Sequence, residues 1–273
     1  MDEIALAAET RNALLSLQRT SRLQADTSQR LSTGLKVQRA TDDPVAFFQS
    51  SALTSRVGDL RDAKDNIGQA LSNVEAALDG TQAINALTDQ LEGVLSAARA
   101  GDADQRAAAA EQFNAIRDQI NALSGDASYQ GTNLISSEPN DLDVRFNESG
   151  SSATTVEGQP SNADGLGISA ASGFNNFASD ADINAAIAEV EAAASTLRTQ
   201  ASSFGADVAL LNTREEFTEN ISNTLTSGAA KLTEADLNEE AAKQLALNVR
   251  GQLGIEALQI GQQSQLGVLQ LFN

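Results

Sequence analysis

The sequence predicts a mainly α fold, a long antiparallel helical bundle or coiled-coil rod with a small β-hairpin region. Three observations predict it. Aromatic residues make up only 4% of the 273. Much of the hydrophobic content is Ala and Leu, which suits long helices packed side by side. Prolines stand only at Pro44, Pro139 and Pro160, so 45–138 and 161–273 are free to run as helix.

The elements follow in order. Residues 3–32 read as a helix, because Ile4, Ala7, Ala8, Leu14, Leu15 and Leu17 recur at i, i+3 and i+4, with Leu31 beyond them. Ser32-Thr33-Gly34 stops it, Gly34 being suited to the residue just past a helix end. Residues 35–42 are a connector. Asp42 and Asp43 are expected to cap a new helix, with Pro44 at its first position, where a missing N–H costs little. That helix reads to Ala100 on the stripe Val57, Leu60, Ile67, Leu71, Val74, Leu78, Leu87, Leu91 and Leu95. Unbroken, it would span about 80 Å, which implies a rod.

Gly101-Asp102 turns the chain, and 103–124 return as a second helix with Phe113, Ile116, Ile120 and Leu123 on one face. From Gly125 to Phe177 the chain is rich in Ser, Gly, Asn and Thr. Within it Leu142–Phe146 alternates with period two, and Ala153–Val156 is the expected partner strand across a turn at 147–152. Helix resumes at Ala181 and is expected to reach Gly228, burying Ile183, Ile187, Val190, Leu197, Val208, Leu211, Phe217 and Ile221. The last helix is placed from Glu234 to Leu271. Leu245, Val249, Leu253, Ala257, Ile260 and Leu271 form its stripe, broadened by Leu247, Leu258 and Leu266. Gly251, Gly254, Gly261 and Gly267 lie inside it, each costing about 1 kcal/mol relative to Ala. Such a helix is marginal alone and needs a partner.

Composition excludes several classes of function. The chain has no Cys and no His, which removes thiolate and imidazole chemistry and the commonest metal ligands. Abundant carboxylates show no sign of a pair with separated pKa values, so no catalytic site, cofactor or metal is expected. The net charge is −19. Residues 1–64 hold nine basic residues against eight acids, 65–240 seven against 28, and 241–273 two against one. The ends are thus near neutral and the middle is acidic, which disfavours nucleic acid and anionic membranes. No run is long and apolar enough to insert in a membrane, and Met1-Asp2-Glu3 is acidic where a cleaved signal would be basic. Neutral amphipathic ends suit packing of the two termini together and against further copies. Copies related by a non-closing operator build filaments.

Arg30-Leu31-Ser32-Thr33-Gly34-Leu35-Lys36-Val37, followed by Ala40-Thr41-Asp42-Asp43-Pro44, resembles the N-terminal signature of bacterial flagellin. Tyr129-Gln130-Gly131-Thr132-Asn133-Leu134 resembles the family's motif after its second helix. Ala235 to Ala242 and Leu269-Gln270-Leu271-Phe272 resemble its C-terminal helix. The likeness covers about 1–135 and 180–273, and the Asp-Asp-Pro form is closest to alphaproteobacterial flagellins. It implies a short flagellin without large outer domains. The D0 core would be 1–42 plus 232–273, and the D1 rod 43–231, with its small β region at about 128–178. It further implies an extracellular homo-polymer, the motility filament, exported unfolded through the flagellar type III channel and assembled at the tip. Cap protein, junction protein and export chaperone are implied partners. A hook–filament junction protein, or a flagellin-like surface binding protein, is the alternative.

On this reading Ile4, Leu14, Leu17, Leu31, Leu245, Val249, Leu253, Ile260, Leu271 and Phe272 are the self-assembly residues. Arg30, Leu31, Ser32, Gly34, Asp42, Asp43 and Pro44 are the signature and cap. One feature departs from many flagellins. No Lys or Arg lies between Lys64 and Arg99, where an Arg-rich patch recognised by an animal innate immune receptor would stand, so weak or absent recognition is expected. Ser149, Ser151, Ser152 and Thr154 at the β tip are candidate O-glycan positions, with a plain solvated loop the favoured reading.

Overall fold

A computed structural model describes residues 2–147 and 150–271, and side chains within 10–263 of these. The expectations on Ile4, Ser149, Leu271 and Phe272 therefore lie outside the described side chains. The order is α1 (Asp2–Thr33), α2 (Pro44–Ala100), α3 (Ala103–Asp126), β1 (Leu142–Arg145), β2 (Ala153–Val156), a 3-10 segment (Ala171–Phe177), α4 (Asp180–Thr233) and α5 (Leu237–Leu271). The chain divides into two compact units, Met1–Ser55 with Leu225–Asn273, and Arg56–Thr224.

The Arg56–Thr224 unit is built on helices with a 3.5-residue repeat. On α2 the buried series Ile67, Ala70, Val74, Ala77, Thr81, Ile84, Thr88, Leu91, Leu95 and Ala98 runs in alternating steps of three and four, with Val57, Ala63, Asn73, Gly80 and Val94 buried beside it. On α4 the series Ile183, Ala186, Val190, Ala193, Leu197, Gln200, Phe204 does the same. Ala109, Phe113, Ile116 and Ile120 are the matching face of α3. A seam that recurs every 3.5 residues stays facing its partner only if the helices supercoil left-handedly. The polar members are satisfied locally. The Thr81 and Thr88 hydroxyls donate to the carbonyls of Ala77 (2.8 Å) and Ile84 (3.0 Å). Gln200 accepts from the Ser161 hydroxyl at 2.9 Å.

The same repeat corrects one expected core residue. After Leu211 the seam passes to buried Thr218, seven positions on, so Phe217 is turned about 100° away and is 57% exposed. Ile221 is only half-buried.

α3 starts with a capping box, Asp102 accepting from Gln105 N–H at 3.0 Å while the Gln105 side chain accepts from Asp102 N–H. Its far end is closed by Asn133, whose amide donates to the carbonyls of Ser124 (2.8 Å) and Gly125 (3.0 Å) and accepts from Ile135 N–H. These are carbonyls a helix terminus leaves without partners. Gln130 and Gly131 both have positive φ, and Tyr129 and Thr132 exchange backbone bonds across them, which is the geometry of a primed two-residue turn. The loop lies on α2 at Gly80. A Cβ there would stand 2.7 Å from Ile135 Cδ1 and 2.9 Å from Ala127 Cβ.

The β-hairpin pairs Leu142 with Val156 and Val144 with Thr154. Val144, Phe146 and Val156 join the core, and Arg214 lies 4.9 Å over the Phe146 ring. The 3-10 segment, which no periodicity in the sequence announces, supplies Ala171, Phe174 and Phe177 to the same core. Asn175, Asn176 and Phe177 are all left-handed, with φ of 50°, 53° and 61°. Asn tolerates this region and Phe does not. Phe177 is held there by edge packing on Phe113, 5.4 Å between centroids.

In the other unit, α1 and α5 lie antiparallel, and the ends of α2 and α4 adjoin them in sequence. α4 continues helical through Gly228 to Thr233, beyond the expected stop. Its neighbour Leu53 lies 3.6 Å from where a Gly228 Cβ would be. α5 begins at Leu237 rather than Glu234, because Asp236 accepts from the N–H groups of Asn238 (2.9 Å) and Glu239 (3.2 Å).

Candidate self-assembly surface

The α1–α5 pair presents two different faces on each helix. Facing residues obey one rule: Thr10 meets Gly261, Leu17 meets Gly254, Thr20 meets Gly251, and Gln24 meets Leu247, each pair of numbers adding to 271. The seam on α1 is thus Thr10, Ala13, Leu17, Thr20, Gln24 and Thr27, and on α5 Gln244, Leu247, Gly251, Gly254, Leu258 and Gly261. Both advance by alternating threes and fours, the coiled-coil repeat. Large meets small across it. The missing Cβ of Gly254 leaves room for Leu17 Cδ1, 3.3 Å from where that Cβ would be, and Gly251 stands likewise to Gln24. Gln24 donates to Leu247 O at 3.0 Å and to Asn248 Oδ1 at 3.1 Å.

Five of the described apolar residues expected to drive assembly lie on the other face. Leu245, Val249, Leu253 and Ile260 are exposed on α5, as are Leu14, Leu15 and Leu23 on α1. Leu17 and Leu31 are half-buried, Leu17 in the seam. The single stripe read from the sequence therefore separates in two. Leu247 and Leu258 belong to the internal seam, while Leu245, Val249, Leu253 and Ile260 remain open.

A backbone clasp closes the base of the pair. Gly34, with φ +72°, lets the chain reverse, and its N–H donates to Arg30 O at 2.8 Å. Leu35 bridges Glu234, Lys36 N–H donates to Thr233 O at 2.8 Å, and Ala235 N–H donates to Gly34 O at 2.9 Å. Beside it Arg30 Nη1 lies 3.4 Å from Glu240 Oε1, and Lys243 Nζ lies 3.1 Å from the same oxygen. Glu240 is only 4% exposed. Glu239 and Glu240 together raise the Lys243 pKa above its ordinary value.

The two aspartates act differently. Asp43 Oδ1 accepts from Ala46 N–H at 3.0 Å, the bond of a cap, with Pro44 first in the helix. Asp42 instead folds back onto the connector. Its carboxylate accepts from the N–H groups of Gln38 and Arg39, both at 3.0 Å, and these bonds lower its pKa. Ser32 is exposed. At the β tip Thr155 Oγ donates to Asp143 at 2.6 Å, Ser151 Oγ accepts from Asn147, and Ser152 and Thr154 are half-buried.

Sequence comparisons place this arrangement among known proteins. The profile of the bacterial flagellin N-terminal helical region matches residues 4–139. A flagellin of Brucella melitensis is 27% identical over 95% of this chain and 95% of its own length. The flagellin FljM of Caulobacter vibrioides is 28% identical over 95% and 96%. The chain belongs to the flagellin family.

These relatives are alphaproteobacterial, as the Asp-Asp-Pro form implied. A solved flagellin from Bacillus cereus overlaps 56% of this chain and 88% of its own at 14% identity, with a TM-score of 0.49. Within the flagellin chain the N-terminal signature and the C-terminal Ala235–Ala242 motif meet, through Arg30 and Glu240. Gln24 and Gly80 carry no individual signal as positioning residues in the sequence, while Leu247 stands there only in the α5 stripe and Asn133 and Glu240 only within motifs. For Gln24 and Leu247 the readable signal was the repeat of threes and fours through polar and small residues.

Proposed function

We infer that this chain is a structural subunit of the bacterial flagellar filament, polymerising with copies of itself outside the cell. The open apolar face of the α1–α5 pair is the observation that supports it. Leu245, Val249, Leu253 and Ile260 expose about half or more of their surface to water, while the internal seam holds three leucines among small and polar residues. A chain that places its larger apolar side chains outward on two terminal helices is built for burial against other copies. The filament core is assigned to 1–42 with 232–273, and the surrounding rod to 43–231.

Ile4, Leu14, Leu17, Leu31, Leu245, Val249, Leu253, Ile260, Leu271 and Phe272 are the proposed assembly residues. Export through the flagellar channel, a cap, a junction protein and an export chaperone accompany this role in the family. The stretch between Lys64 and Arg99, which carries no Lys or Arg, goes with weak or absent innate receptor recognition. The tip hydroxyls of Ser151, Ser152 and Thr154 are the candidate O-glycan positions. Deleting 245–273 should leave a soluble chain that forms no filaments on seeds. Normal filaments from that truncation, seen by electron microscopy, would overturn the terminal-helix assignment.

A further inference from the structure

The α1–α5 seam has a weakness that its own residues do not cure. Sliding α5 by one heptad keeps a glycine opposite Leu17 and sets glycines opposite Gln24 and Thr27, while Thr20 would face Leu258. Leu17 would meet Gly261 instead of Gly254, Thr27 would meet Gly251, and Gln24 would meet Gly254. Sliding the other way sets Leu17 on Leu247 and Gln24 on Glu240. Three of the six α5 seam positions are Gly, so a heptad slip toward Gly261 still leaves room for Leu17 and Gln24. Packing by small and polar residues therefore discriminates poorly between registers, as in flat or small-residue pairings generally.

Two features do discriminate. One is the buried carboxylate of Glu240, which has Arg30 and Lys243 on Oε1 and no partner on Oε2. Only the observed register brings Arg30 to it, and Lys243 rides on the same helix whatever the register. A slip would leave the buried charge with one cation, a costly state. The other is the backbone clasp, Leu35 to Glu234 with Gly34 and Lys36 on either side. It forms only when α1 and α5 end level with each other.

We propose that the segment Arg30–Val37 is a register lock, in which the Arg30–Glu240 pair and the Gly34–Lys36 backbone clasp select one heptad register of the α1–α5 seam. The signature motif thereby decides where the open stripe of α5 stands relative to that of α1. The inference concerns the chain's own pairing. It extends the assembly reading but does not depend on it, and register is read separately from filament yield.

The absence of any natural Cys gives a clean reporter. Two double variants of the full chain are made, Leu17→Cys with Gly254→Cys for the observed register, and Leu17→Cys with Gly261→Cys for the slipped one. Each is combined with Glu240→Gln and Gly34→Val, separately and together, and oxidised both free and on seeds. In the unaltered background the first pair should cross-link and the second should not. With the lock removed, the ratio of first to second should fall about tenfold, modest because Arg30 is partly exposed. Far-UV circular dichroism checks that the helices persist. A slipped cross-link that stays at background in every lock variant overturns the proposal, whether the first pair is kept or lost.

Discussion

Truncating one open side chain and one seam side chain of α5 should separate assembly from folding. Leu253 is 59% exposed in the single chain and Leu247 is 9% exposed. Fully burying a Leu side chain is worth about 1.5–3 kcal/mol. The part of Leu253 still open can thus gain about 1–2 kcal/mol on contact with another copy, and Leu253→Ala forfeits about 1 kcal/mol of it, since Ala keeps its Cβ. That corresponds to about a fivefold rise in the critical concentration for growth from seeds. Helix content and thermal melting of the unassembled chain should not change. Leu247→Ala deletes side-chain atoms from the seam, where Gln24 already reaches the Leu247 carbonyl. It should cost about 2 kcal/mol of α1–α5 pairing and lower the first melting step. Sedimentation of seeded reactions gives the critical concentration, and circular dichroism gives the melt. A Leu253→Ala chain that melts early yet polymerises at the unaltered concentration would refute the placing of Leu253 on the open face.

Three further outcomes follow from other parts of the molecule. Gly80→Ala should destabilise the Arg56–Thr224 unit by about 1–3 kcal/mol, because its Cβ would fall 2.7 Å from Ile135 Cδ1 and the loop must shift; thermal denaturation measures this, and an unchanged midpoint would contradict the loop placement. Asp42 has a folded pKa below its ordinary 3.8, owing to the N–H groups of Gln38 and Arg39. Its contribution is therefore present above pH 3.8 and lost as pH falls through the lower folded value. The protection of Gln38 and Arg39 amides, relative to the free-peptide exchange rate at the same pH, should fall in that acid window, and Asp42→Asn should show reduced protection already at neutral pH. Seeded growth should quicken as salt is added, because stacked copies multiply the acidic surface of a chain with net charge −19 and salt screens it; rates independent of ionic strength would count against that.

The helices were legible because their signals are local and redundant. Pro44 opens α2 and Gly101 closes it, within a residue of the expected ends. The strands were legible for the same reason, since Leu142, Val144 and Phe146 alternate and the Gly-Ser turn lies between the runs. The 3-10 segment was not legible, because Phe174 and Phe177 reach the core through three left-handed residues that no periodicity announces. Phe217 was misread for a related reason. Hydrophobicity marks a residue that favours burial, but the heptad passing through Thr218 decides which face is covered. At the assembly surface the open stripe was read as one broad face with Leu247 and Leu258. Their separation depends on which α1 residues stand opposite, and that is a long-range fact between positions over 200 apart in sequence.

The glycines of α5 gain a purpose from this geometry. As helix residues, Gly251, Gly254 and Gly261 only weaken α5, by about 1 kcal/mol each. As seam residues they admit Leu17, Thr20 and Gln24 of α1 at close approach. The resulting pair buries few large side chains, so little of its stability comes from within one chain. Apolar surface on Leu245, Val249, Leu253 and Ile260 is open in the single chain, where the proposed assembly would cover it. Weak internal pairing and strong external burial are thus one arrangement of the same helix. On the proposed assembly reading, a chain so built would be loosely held before assembly and firm within the polymer. Replacing Gly251 by Ala, a better helix former, should test this coupling. The gain in helix propensity would be set against a Cβ 3.3 Å from Gln24 Nε2, a flexible end that can move aside. The free chain should then show more helix by circular dichroism while its filaments gain little in melting temperature. An equal gain in both states would mean that α5 is no less ordered alone than assembled, and would break the link drawn between its glycines and its dependence on other copies.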